Sequence, residues 1–157
     1  GPQLFGALFA FLPAGFIGAS QLNVWLLRRH GSAAIFAWAI RGQAAGSFLL
    51  FICALCGGLT LGGTVAFLFV ILACVGISNP NGSALALAPF NRDAGSASAL
   101  LGMIQLGIGA LISTTIGLAG AKDSLPIIAT LFATSALGLL VHMAIRPRPP
   151  EILTGSA

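Results

Sequence analysis

Five apolar runs follow one another along this chain with only short connections between them: residues 4–27, 33–59, 64–89, 94–121 and 125–145. Each is long enough to cross the hydrocarbon core of a bilayer, which takes about 20 residues of helix. In hydrocarbon every backbone N–H and C=O must be satisfied internally, so runs of this length can cross only as helices. A soluble fold is excluded by the surface it would need. Charged residues are 6% of the chain, against roughly a quarter in an ordinary soluble domain, and hydrophobic residues are 57%. The sequence therefore predicts an all-α, polytopic transmembrane helical bundle of five spans over residues 1–146. Residues 147–157, which begin Pro147-Arg148-Pro149-Pro150, cannot continue a helix and form a tail.

The formal charge of +4 does not point to nucleic acid, because the basic residues sit at segment ends and form no long cluster interleaved with aromatics. They set orientation instead. The ends of runs one, three and five carry Arg28, Arg29, Arg92, Arg146 and Arg148, whereas the other side carries only Lys122. By the positive-inside rule the arginine side, and with it the C-terminus, is cytoplasmic, and residue 1 is outside. Arg41 lies close enough to the basic end of run two to snorkel there. The first run has no basic region before it and begins after Gly1-Pro2-Gln3 rather than a Met, so it is no signal peptide and the chain is expected to be a piece of a longer one.

Polar residues inside the runs are few, which makes each a candidate. Run three is interrupted by Asn79-Pro80-Asn81-Gly82. Proline removes a helix hydrogen bond and frees a carbonyl, so a kink or local unwinding is expected there. Asn79, Asn81 and Ser83 either satisfy the freed backbone groups or line a polar cavity. Run four follows the polar knot Asn91-Arg92-Asp93, with Asp93 placed as an N-cap. It carries two small-residue rows, Ala94, Ser98, Gly102 and Gln105, Gly109, Ser113, Gly117, on neighbouring parts of one helix surface. Gly95, Gly102 and Gly109 are expected to be close-packing positions. Gln105, an amide deep in the run, is the first substrate-binding candidate, followed by Asn79 and Asn81.

Other features have plainer readings. Phe5, Phe9, Phe11 and Phe16 are expected to pack against lipid or helices, Pro13 to kink run one, and Gln21 and Asn23 to hydrogen-bond the adjoining loop. His142 is a helix-end residue. Cys53, Cys56 and Cys74 lie in apolar runs with no second CxxC and no His nearby, so they read as small packing residues. The acids Asp93, Asp123 and Glu151 are all at ends or in loops, and there is no HExxH, no phosphate loop and no plausible Ser/His/Asp set. No enzymatic activity, metal or cofactor is expected. A closely packed helix, a proline-interrupted helix and a few buried amides are features of transporters. A non-transporting membrane subunit shares them.

The string Asn79-Pro80-Asn81, SALALAPF, then AGSASALLG from Ala94 to Gly102 with Gln105 after it, resembles the last-but-two and last-but-one helices of the Bcr/CflA drug-resistance exporters of the major facilitator superfamily. The start, QLFGALFAFLPAGFIGASQLN followed by RRHG, is similar to the eighth helix and its cytoplasmic loop in that group. The resemblance covers nearly the whole chain and implies helices eight to twelve of twelve. It also implies a bacterial inner-membrane antiporter that exports small amphipathic drugs, with a proton gradient as the coupling ion and the lipid bilayer and seven further N-terminal helices as partners. The proton-carrying acid would belong to those absent helices. The fourth run would be a rocking interface between halves. Export of a metabolite such as an amino acid or short peptide is the alternative within transport.

Overall fold

A computed structural model of the chain describes residues 2–90, 92–118 and 123–145. Over these the chain forms five helices, α1 (Pro2–Leu27), α2 (Ser32–Leu55), α3 (Leu61–Leu87), α4 (Ala94–Leu118) and α5 (Leu125–Ala144), with no strand among the described residues. All five are long and apolar enough to cross a membrane, the pattern of a multi-pass membrane protein.

The connections follow from residue chemistry. α2 stops at Leu55, short of the end of its apolar run, because Gly57 adopts a left-handed conformation at φ +67°. The amide of Gly58 then donates to the Cys53 carbonyl and that of Gly57 to Ala54, both at 3.2 Å, closing the helix in a Schellman motif. Thr60 opens α3 as its N-cap, its hydroxyl oxygen accepting from the Gly63 amide at 3.1 Å. At the other end the Asp93 carbonyl accepts the first α4 bond, from the Ala97 amide at 2.9 Å. Asn91, Lys122, Arg146, Arg148 and the tail lie outside the described residues, as do the side chains of Phe5 and Phe9.

α3 is the hub, packed against α1 on one side and α2 on the other, with α5 against α2 and α4 in slight contact with α3. Residue pairs show the directions. Gly15 faces Phe69 and Asn23 meets Asn81, so α1 and α3 run parallel; Gly42 faces Cys74 and Phe36 faces Gly82, so α2 and α3 are antiparallel. Phe132 of α5 packs against Phe48 and Phe51 of α2, with ring centroids 5.5 and 5.3 Å apart.

Close approach is what glycine contributes at these contacts. A Cβ on Gly42 would lie 3.0 Å from Cys74 Sγ, on Gly46 3.2 Å from Ile71 and on Gly82 2.9 Å from the Phe36 ring, while at Gly76 it would run into the Phe16 carbonyl. Gly95, Gly102 and Gly109 of α4, by contrast, meet nothing within 4 Å. They pack against no helix among the described residues, and the close approaches lie instead among α1, α2 and α3. A small side chain permits approach, but a partner backbone must be present to use it. The spacing Gly42-x-x-x-Gly46 was the sequence signal for the approach that is made.

α3 runs unbroken through Asn79-Pro80-Asn81, so the local unwinding expected there does not occur. The carbonyl that Pro80 leaves free is that of Gly76, four residues before it. Ser20 of α1 supplies the missing donor, with its Oγ 3.0 Å from that oxygen.

The interior is small and partly polar. Leu50, Ile71 and Ile128 form its apolar centre, with Phe51, Leu68 and Leu131 packed around them. Asn23, Ser47, Ser78, Asn81 and Ser135 are also buried. The exterior is where the large apolar side chains lie: Leu106 is 78% exposed and Leu118 84%, and α4 buries no residue. Lipid does not drive apolar side chains inward, so helices in a bilayer meet through small and polar residues and turn leucine outward.

Candidate functional site

Three helix faces converge on a cleft of about 520 Å³ between α2, α3 and α4. From α3 come Val75, Ser78, Asn79, Gly82 and Ser83, spaced i, i+3, i+4, i+7, i+8 and hence one stripe of that helix. α2 contributes Phe36 and Gln43, and α4 contributes Leu101 and Gln105, the latter pair one helical turn apart. Gly82 allows the Phe36 ring to lie against α3 at one end of the cleft.

Two of the predicted binding residues thus come together. Gln105 and Asn79 are both exposed and line the same cleft. Asn81 is not in its lining. Two positions further on, it points about 200° around the helix from Asn79, and it is 1% exposed. Its Nδ2 donates to Asn23 Oδ1 at 2.6 Å and to the Ile77 carbonyl at 2.8 Å. Asn81 therefore joins α3 to α1, and Asn23, expected to bond the adjoining loop, crosses to α3 instead.

Gln43, Ser78 and Phe36 were not among the predicted site residues. Gln43 is held by a bond across to α5, where its Nε2 donates to Ser135 Oγ at 3.2 Å. The signal that singled out Gln105, an amide deep in an apolar run, applies to Gln43 equally. Ser78 and Phe36 carry no such signal, since a serine can bond its own helix, as Ser78 does to the Val75 carbonyl at 3.3 Å.

The lining carries amides and hydroxyls and no charged side chain. Arg41 lies in a separate groove between α2 and α5 with Ala45, Phe48 and Phe132, and His142, in the last turn of α5, packs edge-on against Phe36 with ring centroids 5.4 Å apart. Phe11 stacks on Phe69 of α3 at 4.6 Å, a helix-packing contact. Among the described residues no group of three or more His, Cys, Asp or Glu side chains is placed to hold a metal ion. Chemically the cleft can offer hydrogen bonds at several points and apolar contact at Phe36, Val75 and Leu101, which suits a neutral or amphipathic small molecule.

No protein-family model, curated protein or solved structure matches this chain.

Proposed function

We propose that this chain is part of a secondary active transporter that exports small amphipathic compounds across a bacterial inner membrane by proton antiport. One observation carries the reading: an uncharged, hydrogen-bonding cleft opens among helices that are otherwise apolar, and Gln105 and Asn79 meet in it from different helices. Intramembrane amides are costly unless they bond a partner or face water, and two that open into one cleft, rather than tying helices together as Asn23 and Asn81 do, support a binding site. The resemblance of Ala94–Gln105 to drug exporters of the major facilitator superfamily supports the same reading.

In this scheme Gln105, Asn79 and Gln43 hold the polar parts of the cargo, and Phe36 takes an apolar part. The lining carries no acid or base, and the same resemblance implies that the proton-carrying acid belongs to the seven helices that would complete the transporter. Gly95, Gly102 and Gly109 then face those helices, and the bare surface of α4 is their contact.

The test is resistance of cells carrying the full-length gene with Gln105→Ala or Asn79→Ala, matched for membrane expression, to a panel of exported drugs of the bicyclomycin, chloramphenicol and sulfonamide types. Reduced resistance to some of the panel is expected. Unaltered resistance to every compound would remove the cleft from the transport path.

A further inference from the structure

We propose that a second, apolar crevice at the basic end of the bundle holds one acyl chain of an anionic phospholipid. The crevice has a volume of about 460 Å³ and lies between the start of α2 and the ends of α3 and α5. Ala33 and Phe36 line it from α2, Leu85 from α3, and Gly138, Val141 and His142 from α5. Gly138 leaves it open at the base, because the nearest atom a Cβ would meet there is Ile40 Cδ1, at an ordinary 3.6 Å. Phe36 closes its inner side. The ring lies against Gly82 and meets the edge of His142, and it lines both this crevice and the polar cleft, so it separates the two.

Length and charge select the occupant. Along α5 the lining extends only from Gly138 to Ile145, about 10 Å of helix axis at the usual rise. That is far short of the seam a spanning helix would bury, but it suits the upper part of a lipid chain. The crevice is at the end of the bundle where Arg28, Arg29 and Arg92 are exposed, against the one carboxylate there among the described residues, that of Asp93. Arg29 is held there by the Trp25 ring, its guanidinium carbon 5.1 Å from the centroid, and an aromatic–arginine pair at a helix end marks the headgroup level. Apolar space in the crevice and cationic side chains at the same end of the bundle match the two parts of an anionic phospholipid. The inference is independent of what the polar cleft transports.

The experiment uses the full-length protein in nanodiscs of phosphatidylcholine containing a trace of phosphatidylglycerol with a photoactivatable group on its acyl chain, the adducts being mapped by mass spectrometry. Adducts are expected on α5 around Val141 and His142 and on α2 around Ala33, competed by unlabelled phosphatidylglycerol roughly tenfold more effectively than by phosphatidylcholine, a preference within reach of two interfacial arginines. Gly138→Leu, which fills the base, should abolish these adducts and leave those on outer faces. Arg28→Gln with Arg29→Gln should keep the adducts and lose the preference. Adducts spread evenly over the exterior, equal competition by the two lipids, or a crevice that takes no label because another helix of the protein covers it would each overturn the proposal. The competition in the unmutated protein decides the matter even if Gly138→Leu fails to fold.

Discussion

The Ser20 hydroxyl on α1 lies 3.0 Å from the Gly76 carbonyl on α3, the carbonyl that Pro80 deprives of its helical donor. The same hydroxyl is 2.9 Å from the Phe16 carbonyl of its own helix, so one proton is shared between two acceptors. Gly76 makes this possible, since a side chain there would collide with the Phe16 carbonyl. One helix thus repairs the defect that proline makes in its neighbour.

Removing the hydroxyl and removing the space should therefore have unequal effects. Ser20→Ala is expected to destabilise the bundle by about 0.6 kcal/mol, the average for hydrogen bonds between membrane helices. Gly76→Ala, which forces two backbones apart, should cost about 1–3 kcal/mol. Reversible unfolding in mixed micelles measures both, and equal costs would contradict the close-approach argument.

Asn23 and Asn81 should be energetically coupled, because the bond between them at 2.6 Å is buried on both sides. A double-mutant cycle with alanine at each position is expected to give an interaction of about 0.6–1.7 kcal/mol. Additive single effects would mean the two amides do not act on each other.

The glycines of α2 and of α4 are predicted to respond differently to the same change. Gly46→Leu places a large side chain where even a Cβ would sit 3.2 Å from Ile71, and should lower stability by about 1–3 kcal/mol. Gly109→Leu meets nothing within 4 Å and should leave the stability of these five helices within about 0.5 kcal/mol. In the full-length protein, however, Gly109→Leu should lower efflux, because the proposed transporter uses that surface. Stability and efflux assays on the two variants separate the cases.

Cysteine labelling checks the orientation read from the arginines. Cys56 is exposed beside the glycine turn, whereas Cys53 and Cys74 are partly shielded within helices. Thiols react as thiolates, which need water. A membrane-impermeant maleimide added to whole cells should therefore modify Cys56 and leave Cys74 untouched, and modification of Cys56 only in inverted vesicles would reverse the assignment.

Residue order alone was enough to show five membrane-length helices, because the sum of apolar residues over each run is a local property and lipid rewards it wherever the run lies. The start of α4 was legible too, from Asp93 just ahead of it, whereas α2 ends four residues before its apolar run does, at a turn set by Gly57. Gln105 and Asn79 were legible as candidates for the same reason: an amide in an apolar run is conspicuous by itself.

What lies on the far side of each residue was not legible, since that depends on which helix comes to face it. Asn79 and Asn81 are chemically identical and two positions apart, yet one lines a cleft and the other is tied to Asn23, because α1 and α4 occupy different sides of α3. The small residues of α4 form the more conspicuous pattern, but the close approaches are made by Gly42, Gly46, Gly76 and Gly82, where a second backbone or ring is present to use the space. The interruption at Asn79-Pro80 suggested a kink or local unwinding. The tertiary structure keeps it whole, because a single hydroxyl from α1 replaces the donor that proline lacks.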